Sequence, residues 1–165
     1  RVVCMGGYTE PLRLGWRNID ELNLSADPDA TFHMLSSAAS VTLMSAQICL
    51  QAPFNWRDFV RTGFLTPDIR RAIFNWLIVM AVYCGIPRFY MWDLLPVVYV
   101  VQQQLFDDNP VALISTREDL EHGTLKVKHT GPALQLNLPT HIVDVDAFQQ
   151  SIFRMWKTAL VAPGS

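Results

Sequence analysis

Between Thr66-Pro67-Asp68 and Gly85-Ile86-Pro87 lies the segment whose start, stop and content are written most plainly in the chain. Thr66 can cap a helix, Pro67 suits its first position, and Asp68 sits where the helix dipole favours an anion. Gly85 is the residue that a left-handed C-terminal cap prefers, and Pro87 cannot continue the helix. From Trp76 to Tyr83 every residue is apolar. A helix that is apolar all round is a buried one, so this segment is expected to be the central helix of the fold. The run is too short for a membrane span, and Arg70, Arg71, Arg88 and Asp93 flank it closely.

The same punctuation places other elements. Asp27-Pro28-Asp29 opens a helix expected to run to about Leu50, ahead of Pro53, through the small residues of 36–40. Asn55 can cap a short helix from Trp56 to Thr62, with Gly63 beyond it. Arg88 to Phe106 has helical character interrupted by Pro96, which predicts a kink or two helices, with strand propensity in Val97 to Val101. Ser115 with Glu118, and Thr116 with Asp119, have capping-box spacing ahead of Gly123. Beyond it Leu125, Val127 and His129 alternate with polar residues, as do Leu134, Leu136 and Leu138. With Thr130-Gly131-Pro132 as the turn, this predicts an antiparallel hairpin with one wet face. A strand over 141–145 and a final helix to about Leu160, apolar at Phe148, Ile152, Met155, Trp156 and Ala159, complete the pattern. The expected fold is therefore α+β. Residues 1–24 form an apolar arm or irregular segment, 25–106 a helical part of about four to five helices, and 107–165 a small antiparallel β region closed by a C-terminal helix.

Charged residues are only 17% of the chain, below the usual quarter, and the formal net charge is −2. So few charges leave apolar surface to be covered by a partner, either further copies of the chain or a larger protein assembly. Bulk charge gives no support to nucleic acid as that partner. The basic residues are mostly arginine, and residues 31–92 hold five arginines against two aspartates. Arginine is the better residue for interface pairs and phosphate forks. Trp56, Arg57, Arg61, Arg70, Arg71, Arg88, Tyr90 and Trp92 form an aromatic–arginine zone, the candidate interface or anion contact. Arg70 and Arg71 fall in the first turn of a helix, where a cation opposes the dipole and an anionic partner would compensate.

No catalytic residue, metal site or cofactor is indicated. The histidines, His33, His122, His129 and His141, lack zinc-site spacing. No Gly-x-Ser-x-Gly elbow or phosphate-binding glycine loop is present, and Gly6-Gly7 is followed by neither lysine nor a helix start. Cys4, Cys49 and Cys84 form no disulfide framework, which favours a reducing compartment, and no signal peptide is visible. The chain begins at Arg1 rather than Met, as a processed product or an excised domain would. These features together predict a non-enzymatic structural or assembly protein, such as a virion or polyprotein-derived component, intracellular or within an assembled particle. An RNA-contacting accessory domain is the alternative that the arginines offer.

One local pattern points elsewhere. Leu65-Thr66-Pro67-Asp68-Ile69-Arg70 followed by Ala81-Val82-Tyr83-Cys84-Gly85-Ile86-Pro87 resembles the last motif of the carboxymuconolactone decarboxylase-like helical proteins. The resemblance covers roughly residues 65–95 and implies an all-helical fold and a small enzyme. The redox members of that group use a Cys-x-x-Cys helix, which this chain lacks, so no catalytic residue is carried over.

Overall fold

A computed structural model describes residues 1–37, 40–129 and 134–161. Its centre is a five-stranded mixed sheet in the order β1 (Val2–Met5), β4 (Val41–Met44), β9 (Leu134–Asn137), β7 (Pro110–Leu113), β8 (Val127–Lys128). β1, β4 and β9 run parallel, and β7 is antiparallel to both β9 and β8. The expected layout, a helical N-terminal part followed by a small antiparallel region, is corrected by this topology. All three stretches of chain, 1–24, 25–106 and 107–165, supply strands to one sheet.

β1 and β4 read as nearly continuous apolar runs, as strands covered on both faces do, whereas β9 alternates leucine with Gln135 and Asn137. All four residues of β4 are buried. Val41 and Leu43 join Val111, Leu113 and Leu136 under α1 (Pro28–Ser36) and α6 (Arg117–Glu121). Met44, with Val3 and Met5 of β1, faces the other way, into the core beneath α5 (Leu94–Val101) and α7 (Val145–Val161). Burying an aliphatic side chain of this size contributes about 1.5–3 kcal/mol, and the sheet has such side chains on both faces.

The helix expected from Asp27 to about Leu50 is instead three elements. Asp27 does cap α1, accepting from Ala30 N at 2.9 Å, but the helix stops at Ser36. Val41-Thr42-Leu43-Met44 then pairs on both sides, with β1 and β9, and short α2 (Ala46–Cys49) follows. Side-chain packing between two strands outweighs a helical propensity that is weak in Val and Thr. The predicted hairpin is corrected as well: β7 lies between β8 and β9, so the two alternating segments never pair. The Thr130-Gly131-Pro132 turn lies outside the described residues. In the region read as an apolar arm, β1 is followed by the hairpin of β2 (Leu12–Leu14) and β3 (Arg17–Ile19).

Several caps stand as the sequence predicts. Asn55 and Asp58 form a capping box on α3 (Trp56–Arg61), and Thr116 and Asp119 form one on α6. The helix α4 (Pro67–Cys84) ends at Gly85, whose φ is +74°. Its burial departs from expectation. Only Leu77, Met80 and Cys84 are buried, while Trp76, Ile78, Val79, Val82 and Tyr83 are exposed. α4 is a peripheral helix, not the central one. Its C-terminal end packs with Leu12, Leu14 and Ala46 in a third cluster. No helix among the described residues is long and apolar enough to cross a membrane.

Candidate functional site

In open α/β sheets ligands sit outside the carboxyl ends of parallel strands. That edge of β1 and β4 carries a cleft of about 270 Å³, walled by Tyr8, the β2–β3 hairpin, Asn23 and Trp92, with Asp20, Glu21 and Asp93 at its lining. The chain turns sharply where β1 reaches it. Gly6 N donates to the Met44 carbonyl at 3.0 Å, and the Gly7 carbonyl accepts from Ala46 N at 2.8 Å. Gly7 has φ +71°, and a Cβ there would overlap Leu125 and Leu24, so only glycine fits.

Three carboxylates take different roles. Glu21 is bound to the backbone: it accepts from the amides of Gly7 (3.1 Å), Asn23 (2.8 Å), Leu24 (3.0 Å) and Ser25 (2.8 Å). It therefore ties the segment after β3 to the end of β1. Asn23 reinforces the tie, its Nδ2 reaching the Met5 sulfur at 3.0 Å. Asp20 and Asp93 are exposed and make no side-chain hydrogen bond or ion pair among the described residues. Asp93 stands at the start of α5 without capping it. Behind it, burial and then the Asp93 charge push the Cys49 thiol well above its ordinary range, so that thiol stays protonated. What the cleft offers a ligand is thus two free anionic acceptors beside an aromatic wall, in which Tyr90 meets Trp92 edge-on at 5.5 Å. Among the described residues no three His, Cys, Asp or Glu side chains converge in a way that could hold a metal ion.

The residues of the aromatic–arginine zone fall on α3, on α4 and on the short strand Arg88–Tyr90, with Trp92 just beyond it. Trp92 belongs to the cleft, with Tyr90 against it. Trp56 packs edge-on against Phe59 and Phe74 at 5.3 and 5.6 Å. Arg61 pairs with Asp58 at 3.7 Å and lies over the Phe153 ring at 4.3 Å, while Arg57 and Arg88 are exposed. Arg70 and Arg71 line a separate cavity at the start of α4. Asp20, Glu21, Asn23 and Asp93 were not singled out by sequence reasoning. The available signal was Val2-Val3-Cys4-Met5 running into Gly6-Gly7, a strand ending in a tight turn.

No protein-family model matches the sequence, and no curated protein matches it. Solved structures do. The chain is similar to a purine-preferring ribonucleoside hydrolase from Gardnerella vaginalis at TM-score 0.75 and 19% identity, over 98% of this chain and 54% of that one. It is similar to a plant nucleoside hydrolase at TM-score 0.67 and 16% identity, over 92% and 51%. An inosine-uridine preferring nucleoside hydrolase from Bacillus anthracis gives 0.65 and 19%, over 95% and 51%. The chain thus spans about half the length of the structures it matches. The fold is that of nucleoside hydrolases, which are enzymes. This overturns the reading as a non-enzymatic virion, capsid or assembly component. It equally overturns the all-helical, decarboxylase-like alternative, because a mixed sheet forms the core.

Proposed function

We propose that this chain carries the ribonucleoside-binding cleft of an enzyme that hydrolyses the N-ribosidic bond. The observation that carries the reading is a cleft with two unpaired carboxylates at the carboxyl edge of the parallel strands, in a fold shared with three nucleoside hydrolases. Ribose presents hydroxyl donors, and ionised Asp20 and Asp93 are acceptors with free lone pairs. A nucleobase has a flat face, and Trp92 offers an aromatic one. In the reaction, water adds at C1′ and the base leaves with a proton. Positive charge develops on the ribose ring as the bond breaks, and a fixed carboxylate stabilises it. In this scheme Glu21 positions the wall rather than touching ribose, since backbone amides occupy its oxygens.

The test is base release from inosine, uridine and adenosine followed by chromatography, with binding measured calorimetrically. Asp93→Asn is expected to lower kcat/KM by about a hundredfold or more with the melting temperature unchanged. A chain that neither binds nor cleaves ribonucleosides refutes the reading, as does an Asp93→Asn variant with full activity. Association with further copies of the chain belongs to the same proposal. Exposed Trp76, Val82 and Tyr83 on α4 support it, and light scattering at micromolar concentration reads it.

A further inference from the structure

On the reading of the cleft as a ribonucleoside site, the reaction needs a proton donor as well as a carboxylate. A nucleobase anion is a poor leaving group, so a ring nitrogen must gain a proton as the C1′–N bond breaks. Asp20 and Asp93 are acceptors, and the oxygens of Glu21 are taken by backbone amides. Among the described residues no histidine, lysine or cysteine lines the cleft. The Asn23 amide is committed to Met5, and an indole N–H such as that of Trp92 donates hydrogen bonds without giving up its proton. Tyr8 remains.

Tyr8 follows the Gly6-Gly7 turn at the end of β1. Its amide donates to the Gly123 carbonyl at 2.9 Å, and its carbonyl accepts from the Leu125 amide at 2.8 Å. A backbone fixed on both sides thus delivers the ring to the cleft, where it packs in one cluster with Leu12, Leu14 and Trp92. The residue is half-buried, and its hydroxyl makes no hydrogen bond among the described residues. Nor is that oxygen sealed in the core, since Arg70 Nε is the one buried side-chain atom without a partner among the described residues. The hydroxyl is therefore open at the cleft. A phenol keeps its proton through the neutral range and can pass it to a base held against it.

We propose that Tyr8 is the general acid of this cleft, a catalytic residue that gives its Oη proton to a ring nitrogen of the departing base. The base lies against Trp92 with one edge toward Tyr8, and the ribose lies on Asp20 and Asp93. As the C1′–N bond breaks, its electron pair passes to the base. The Tyr8 O–H bond breaks with it, and the base takes the proton and leaves neutral. The oxygen of water bonds to C1′ and sheds a proton to one of the free carboxylates. That proton returns through solvent to the tyrosinate, so only nucleoside and water are consumed.

The experiment compares Tyr8→Phe with the parent on inosine and on p-nitrophenyl β-D-ribofuranoside. Nitrophenolate leaves as a stable anion and needs no proton, whereas hypoxanthine needs one. Tyr8→Phe keeps the ring in its cluster and removes an oxygen without a partner, so the melting temperature should not change. On inosine kcat/KM should fall about a hundredfold or more, and on the nitrophenyl riboside it should stay within about twofold. Asp93→Asn should instead lower both, because its carboxylate stabilises the ribose charge whichever group departs. Full inosine activity in Tyr8→Phe overturns the assignment. Equal losses on both substrates overturn it too, since they would leave Tyr8 a packing role. A parent that cleaves the nitrophenyl riboside but not inosine overturns the assignment and leaves the ribose reading of the cleft standing, and a parent that cleaves neither removes both.

Discussion

Gly15 joins the hairpin that walls the cleft to the end of α4, and its replacement by alanine should be among the most damaging single-methyl changes in the protein. Its φ is +57°, in the left-handed region. A Cβ there would lie 2.9 Å from the carbonyl carbon of Cys84 and nearer still to its oxygen. The backbone conformation alone costs roughly 1–2 kcal/mol in a non-glycine residue. The collision is with backbone at the last turn of α4, so no rotamer change relieves it and the hairpin must move away. Two contacts of Trp16 then weaken: its amide to the Cys84 carbonyl at 3.3 Å, and its indole N–H to the Tyr83 carbonyl at 3.0 Å. At about 0.5–1.5 kcal/mol each, these bring the expected loss to roughly 2–5 kcal/mol. At roughly 2–4 °C per kcal/mol for a chain of this length, the melting temperature should fall by about 4–20 °C. Urea unfolding of Gly15→Ala beside Gly63→Ala is the assay. Gly63 has ordinary φ, and its nearest neighbour to an added Cβ is the Val60 carbonyl oxygen at 3.9 Å. The control should be neutral or gain up to about 1 kcal/mol through the unfolded state. A loss below about 1 kcal/mol in Gly15→Ala would show that the hairpin is not fixed against α4, and the argument for a preformed cleft wall would go with it.

Leu77→Asp buries an unpaired charge and should cost roughly 3 kcal/mol or more, whereas Val79→Glu, on the exposed side of the same helix, should stay within about 0.5 kcal/mol; equal losses in a thermal melt would contradict the peripheral placement of α4. Asp108 is held below the usual carboxylate range by the Tyr99 hydroxyl first, with Gln103 and Asn137 also donating to it, against opposing desolvation. A lowered folded-state pKa means stability fully present above the ordinary aspartate value of about 3.9, and lost as pH falls from there through the folded value. The carboxylate is mostly exposed, so its share is small, and urea midpoints measured from pH 6 downward should show Asp108→Asn flattening that acid limb without abolishing it.

What was legible in the sequence was local. Asp27, Asn55, Thr116 and Gly85 mark their helix ends because each cap is completed within a few residues of itself. The sheet was not legible because its pairings are distant: Val2 meets Val41, and Thr42 meets Asn137. Val41 to Met44 looks the same whether it continues a helix or enters a parallel sheet, and only the partners decide. The apolar run of α4 misled for the converse reason. Composition promised burial all round, yet the fold places the helix at the periphery with one narrow face inward. The cleft escaped notice because motif patterns encode neighbours in sequence, while Tyr8, Asp20 and Asp93 are brought together only by strand ends and a helix start. The absence of a contiguous motif was therefore no argument against an enzyme.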